Sequence, residues 1–286
     1  MITEKAHYLL NMSLDTPTSE PITIESESPV ISPEIDPNLQ VRFKTETGRL
    51  LLFLPPENNP EDTETNTNLN HTWTELWQQL KHRLNGGEHA EQDYTEVHLI
   101  AENRLLDGRQ LQDIAEALTE VQLQLKRVKT SRRQTAVAAA MAGYSVDQDR
   151  SRETLAQPLP ETTTDPLAEP LYLKMTVRSG VDIRHPGTIV IVGDVNPGSS
   201  LIADGDIIIW GRLRGNAHAG AKGNRNSLIM ALQMEPKLIR IADQVARGPE
   251  TSPEQFYPEV AYVNSTGIRI SPAKEVAKAR VLTLEG

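Results

Sequence analysis

The chain has no cysteine, which excludes a disulfide framework and a thiolate metal site. Aromatics make up only 4% of its 286 residues, and 39 acidic side chains outnumber 29 Lys and Arg for a formal net charge of -10. A general nucleic-acid binder needs a concentrated basic surface and stacking rings, so this balance argues against that class. No run approaches the roughly 20 apolar residues of a spanning helix, and the opening MITEKAHYLLNMSLDTP has no signal-peptide pattern. The expectation is a soluble, cytoplasmic protein long enough for two domains.

What the chain does have is a six-residue beat. Gly187, Gly193, Ser199, Gly205, Gly211, Ala217 and Gly223 are all small. Between them the odd positions stay apolar or small: Ile189, Ile191, Val195, Leu201, Ala203, Ile207, Ile209, Leu213 and Ala219. Period two means strand, and a small residue every sixth position lets each short strand bend before the next. Three such strands make a coil of about 18 residues whose stacking buries an inner column. The fold class expected is an α+β N-terminal domain followed by an all-β, right-handed triangular β-helix. Flat outer walls without a cleft point to docking rather than catalysis.

Five segments are expected. Residues 1–38 carry seven acids against Lys5 and read as a disordered acidic tail; Tyr8-Leu9-Leu10 within it is either a short recognition motif or plain disorder. Residues 39–146 form the α+β domain, beginning with a hairpin around Thr47-Gly48. Thr72 and Glu75 make a capping box for a helix with Trp73, Leu76, Trp77, Leu80 and Leu84 on one face, ended by Asn85-Gly86-Gly87. Val97–Ile100 is a strand, and Asp107 caps a helix with Leu111, Ile114 and Leu118 inside. Alternation at Val121, Leu123 and Leu125 marks another strand, and 133–142 a last helix. Residues 147–170, with Pro158, Pro160, Pro166 and Pro170, read as a linker that lets the domains move independently. Residues 171–272 hold the β-helix, with 237–246 either strand or short helix and closing strands near 261–263 and 268–270. Residues 273–286 are a tail.

Positions 18 apart stack at roughly 4.8 Å. Val190 then lies on Ile208, Val192 on Trp210, and Leu228 above Trp210. This outward apolar stripe is read as a homodimer interface, the alternative being a cover formed by the linker or the C-terminal segment. Arg178, Asn196 and Arg214 align on a second edge, with Arg212 over Asp194. That edge reads either as a site for a partner's carboxylates or as a solvated rim. His185 and His218 are the two imidazoles of this half and have no carboxylate at catalytic spacing. The run GNAHAGAKG lacks the phosphate-loop spacing. No catalytic residue, cofactor or metal is expected. The other classes are a structural scaffold and an acyltransferase-like β-helix enzyme.

The strings VRSG (177–180), GDVNPG (193–198), LIADGDIIIWGRLRG (201–215) and AGAKGN (219–224) resemble the C-terminal domain of the bacterial septum-site-determining MinC family. That resemblance implies a cell division inhibitor that is no enzyme. It further implies a β-helix that dimerises and binds the membrane-associated ATPase MinD, and an N-terminal domain that antagonises FtsZ polymers. The protein would be recruited to the inner face of the cell membrane through the ATPase. The site it implies is Arg178, Ser179 and Gly180, with Asp194, Arg212 and Arg214 on the same edge. Val181 stands where the family motif R-S-G-Q has glutamine, and Asn216 where some members carry a further arginine.

Overall fold

The structure, a computed structural model, describes residues 40–46, 49–57, 72–87, 95–150, 166–248 and 257–276. The acidic tail 1–38, the turn Thr47-Gly48, residues 151–165 of the expected linker and most of the C-terminal tail lie outside the described residues.

The N-terminal half begins with the antiparallel pair β1 (Arg42–Glu46) and β2 (Arg49–Phe53). Parallel strands β3 (Glu96–Glu102), β4 (Gln124–Thr130) and β5 (Ser145–Gln148) extend the sheet. The helices α1 (Trp73–Asn85), α2 (Gly108–Glu120) and α3 (Arg133–Met141) fall between them. Both long helices start at capping boxes. Thr72 and Glu75 exchange bonds of 2.9 and 3.4 Å, and Asp107 and Gln110 bonds of 2.7 and 3.0 Å. Each such cap contributes about 1 kcal/mol and sets where the helix begins. Leu76, Leu80 and Leu84 of α1 and Leu111, Ile114 and Leu118 of α2 are buried against Leu52, Val97, Leu99 and Val128. Trp73 and Trp77 stack with ring centres 5.8 Å apart on this core.

The C-terminal half alternates between two sheets. Strands β6 (Ala168–Leu173), β8 (Gly187–Val192), β10 (Ile207–Leu213) and β12 (Ile229–Met234) run parallel in one. Strands β7 (Asp182–His185), β9 (Ser200–Ala203), β11 (Asn216–Ala219) and β13 (Leu238–Ile241) run parallel in the other. A third column of single bridges joins Val177 to Val195 and Val195 to Leu213. Inward odd positions from Leu171 to Ile241 make one continuous apolar core.

The beat of small residues holds for the first coils and then slips. Ile189 pairs with Ile207 and Ile183 with Leu201, each 18 residues on. Ala217, however, pairs with Leu201, because the corner at Arg214-Gly215 is two residues shorter than the corner at Asn196–Ser199. Ile229 pairs with Ile207, because the turn-forming run Gly220–Asn226 adds four residues. Gly211 shows what the beat is for: a Cβ there would meet the Gly193 carbonyl oxygen of the coil beneath. Gly223 has open space around it and a φ of +100°, so it serves a turn and not a close approach.

Residues 237–246 resolve as a hairpin. β13 pairs antiparallel with β14 (Gln244–Arg247) through a turn in which Ala242 has a φ of 52°. Strands β15 (Glu259–Asn264) and β16 (Gly267–Pro272) pair antiparallel and close the six-stranded sheet on β12.

The two halves are not joined through the linker alone. β5 pairs parallel with β7, Val146 opposite Ile183 and Asp147 opposite Arg184, so a single ten-stranded sheet runs from β1 to β14. The expected linker thus begins in β5 and ends in β6. In this arrangement the halves sit against each other, in contrast to the independent motion expected from composition.

Candidate partner-binding site

The first two corners of the third column are built alike. Val181 N–H donates to the Arg178 carbonyl at 3.2 Å, and Ser199 N–H to the Asn196 carbonyl at 3.2 Å. In each turn the third residue lies in the left-handed region, Gly180 at φ +82° and Gly198 at φ +80°. Only glycine adopts that conformation without strain, which is why both turns read x-x-Gly. Gly180 N–H donates to the Gly198 carbonyl at 2.9 Å, tying one corner to the next. A Cβ on Gly198 would sit 2.5 Å from Ser179 Oγ, so the corners are in van der Waals register.

Arg178, Ser179 and Gly180 are exposed. Arg178 makes no hydrogen bond or ion pair with any described residue, whereas the two arginines above it are engaged. Arg214 donates to Asn196 Oδ1 at 2.6 Å. Arg212 binds Asp194 through its backbone N–H at 2.9 Å, through Nε at 3.1 Å and through its terminal nitrogen at 3.0 Å. The Arg212 backbone N–H first, and its guanidinium next, hold the Asp194 carboxyl below its ordinary range. Arg214 lies 4.0 Å from the same carboxylate. Asp194 therefore works mainly to fix Arg212 and Arg214, and the free cation at this edge among the described residues is Arg178. Val181 is buried, as its inward position requires.

The apolar wall lies on the six-stranded sheet. Tyr172, Val190, Ile208 and Met230 pair in one row across β6, β8, β10 and β12, and Val192 pairs with Trp210 in the next. Trp210 is 65% and Tyr172 57% exposed, while Val190, Val192, Ile208 and Met230 are half-buried. Leu228 does not belong to this wall. It is 4% exposed, and the four extra residues before it place it at a corner beneath Ile207, whose N–H donates to the Leu228 carbonyl at 2.9 Å.

Neither histidine is placed for catalysis. His185 is 1% exposed, with Nδ1 3.0 Å from the Gln148 side-chain amide and Nε2 2.9 Å from the Glu169 carbonyl. Nε2 of His218 is 3.1 Å from the Ala242 carbonyl. Among the described residues no cluster of His, Asp and Glu is able to hold a metal ion, and no described helix is long and apolar enough to cross a membrane.

Residues 171–273 match the family model of the septum formation inhibitor MinC, C-terminal domain. A probable septum site-determining protein MinC from Nostoc sp. is 55% identical over 256 residues, covering 90% of this chain and 68% of the relative. Its counterpart from Thermosynechococcus vestitus is 44% identical over 262 residues, covering 90% of this chain and 93% of the relative. The chain belongs to the MinC family of septum site-determining proteins. A chain of the MinC:MinD cell division protein complex from Aquifex aeolicus is 37% identical, with a TM-score of 0.36, covering 41% of this chain and 98% of that one. The family's named role is cell division and septum siting, and none of these relatives is named as an enzyme.

Two members of the wall, Tyr172 and Met230, were not among the expected residues. Tyr172 lies 18 residues before Val190, so the same stacking arithmetic would have found it. Met230 was hidden by the four-residue insertion.

Proposed function

We propose that the chain is a cytoplasmic division inhibitor that acts by contact and not by catalysis. It blocks septum formation at wrong sites by antagonising FtsZ polymers, and a MinD-type ATPase recruits it to the inner face of the cell membrane. The observation that carries this reading is the corner at Arg178–Ser179–Gly180. An exposed guanidinium stands beside a turn whose glycine leaves the backbone open, above a ladder of fixed partners at Asp194, Arg212 and Arg214. An arginine so placed donates paired hydrogen bonds to a carboxylate, and a glycine lets a partner's backbone approach.

The fold supporting this function is a right-handed triangular β-helix over about 171–272. The third column at Val177, Val195 and Leu213 supports a three-sided coil. The wall of Val190, Val192, Ile208 and Trp210, with Tyr172 and Met230, is the homodimer face. A flat exposed apolar surface suits two-fold pairing. The α+β half over 39–146 carries the polymer-antagonising activity, the segment 147–170 connects the two, and 1–38 and 273–286 are tails.

The deciding experiment is a pull-down with the ATPase in the presence and absence of ATP, together with sedimentation of FtsZ polymers. ATP-dependent capture by the wild type is expected. Arg178→Ala is expected to lower affinity by roughly 2 kcal/mol, the size of an interface hot spot, while leaving dimer mass unchanged. Undiminished capture of Arg178→Ala would remove the corner assignment.

A further inference from the structure

Two residues after the Gly180 turn, the edge of the coil stack is occupied by the other half of the chain. Asp182 N–H donates to Ser145 Oγ at 3.1 Å, and the Asp182 carboxylate lies 3.2 Å from the Arg127 guanidinium. β5 then pairs with β7, and His185 meets Gln148. On the neighbouring strand Glu169 lies 2.9 Å from Arg133 of α3. Ala136, Ala139 and Ala140 of α3 and Val146 of β5 are buried in the same apolar cluster as Leu171 and Ile183 of the first coil. The N-terminal half therefore caps the open end of the stack, covering a strand edge and the end of the inner column, both of which need a cover.

The cap is attached lightly. The β5–β7 pairing has two register pairs, against four on each side of it, between β4 and β5 and between β7 and β9. The α3 face contributes methyl groups, the smallest apolar side chains available. The ion pairs Arg127–Asp182 and Arg133–Glu169 are exposed to solvent on at least one member, and such pairs hold little. A concave surface of about 910 Å³ lined by Arg49, His98, Arg127, Lys129, Asp147 and Arg184 spans the seam and exists only while it is closed. A short ladder, small side chains and solvated ion pairs are the marks of a contact between domains that opens.

We propose that the β5–β7 junction is a releasable, autoinhibitory contact, and that a protein seated on the Arg178–Ser179–Gly180 corner favours its open state. A stable interface covers about 800 Å² on each partner, far more than a three-residue turn, so a partner centred on the corner extends over Asp182 and meets the seated N-terminal half. Partner and cap then compete, and by reciprocity whatever opens the junction strengthens partner binding. This inference rests on the corner being the ATPase site.

The absence of cysteine makes the test direct. Asp147→Cys with Arg184→Cys places two thiols on facing residues of neighbouring strands, a spacing a disulfide spans. Oxidation should close the bond within one chain, and the oxidised protein should bind the ATP-loaded ATPase at least tenfold more weakly than the same protein reduced. The double variant Arg127→Ala with Arg133→Ala should bind more tightly than wild type. Equal affinity of the oxidised and reduced forms, or tighter binding when oxidised, overturns the proposal. A disulfide that forms only between copies, or not at all, overturns the closed arrangement within the chain. Arg178→Ala separates the two readings. If it binds like wild type the corner assignment has failed; if it loses binding while locking has no effect, the junction proposal alone has failed.

Discussion

Asp194 and Arg212 face each other across adjacent coils, the Arg212 backbone N–H 2.9 Å from Asp194 Oδ1 and its Nε 3.1 Å from Oδ2. One carboxylate thus holds both the backbone and the side chain of a residue 18 positions away. Because the folded Asp194 carboxyl titrates below its ordinary value, its contribution is fully present above the unfolded pKa of about 3.9 and is lost as pH falls through the lower folded value. Asp194→Asn should lower stability at pH 7 by about 1 kcal/mol or less, since both partners are partly solvated. The gap between variant and wild-type melting temperatures should shrink as pH is taken toward 3. A gap that stays constant would mean the charge has no part in it.

Gly211 gives a prediction of opposite kind, steric and independent of pH. A Cβ at this position would run into the backbone carbonyl of Gly193, and a carbonyl in a strand column cannot swing aside as a side chain does. Gly211→Ala should cost about 1–3 kcal/mol, read as a fall in the denaturation midpoint. Gly223→Ala has open space and costs only the strain of its positive φ. Equal losses at the two positions would show that the small-residue beat is not about close approach.

The contrast between these glycines shows how far the sequence could be read. The period-two alternation and the capping boxes at Thr72 and Asp107 are local signals, written in residues that touch in the fold, and they were legible. Stacking beyond the second coil was not, because register is cumulative. The short corner at Arg214-Gly215 and the long turn Gly220–Asn226 change it by two and four residues, which moved Leu228 off the wall. The turn-forming Gly220, Gly223, Asn224 and Asn226 were the available warning. β5 was missed for a different reason. Ser145-Val146-Asp147-Gln148 has one apolar residue, too few for any period, and it is a strand because Arg127 to Thr130 and Ile183 flank it. The corner at Arg178 was legible because a positive-φ turn demands glycine at a set place.

Trp210 is the most exposed residue of the apolar wall, and its strand partner Val192 is half-buried beside it. If this wall joins two copies, Trp210→Asp places a charge without a partner in the middle of the interface, which is strongly unfavourable. Sedimentation should then report folded monomers, with circular dichroism unchanged because Trp210 points away from the core. Tyr172→Asp, on the same face, should act in the same direction. Dimers of unchanged mass in both variants would assign the wall to some other use.

His185 carries the last prediction. Burial lowers its pKa below the ordinary value, outweighing the Glu169 carbonyl and the more distant Asp204, which raise it, while Arg133 lowers it further. The neutral ring donates from Nε2 to the Glu169 carbonyl, which leaves Nδ1 as an acceptor for the Gln148 amide NH₂. A proton on Nδ1 would have to be accommodated beside Gly187 and the first coil, away from water. The unfolded chain binds that proton near pH 6.5 and the folded chain does not until a lower pH. Stability should therefore be complete above pH 6.5 and fall as pH drops from there toward the folded pKa. His98 and His218 are lowered as well, also chiefly by burial, so they add to the slope in the same direction. His185→Gln should flatten part of the decline between pH 7.5 and 5.5, measured by denaturant unfolding. Because Gln148 and Glu169 flank the β5–β7 seam, the wild-type loss should be accompanied by opening there, read as faster amide exchange in β5 and β7 than in β9. Unchanged exchange in those strands across this range would confine the effect of His185 to the coil stack.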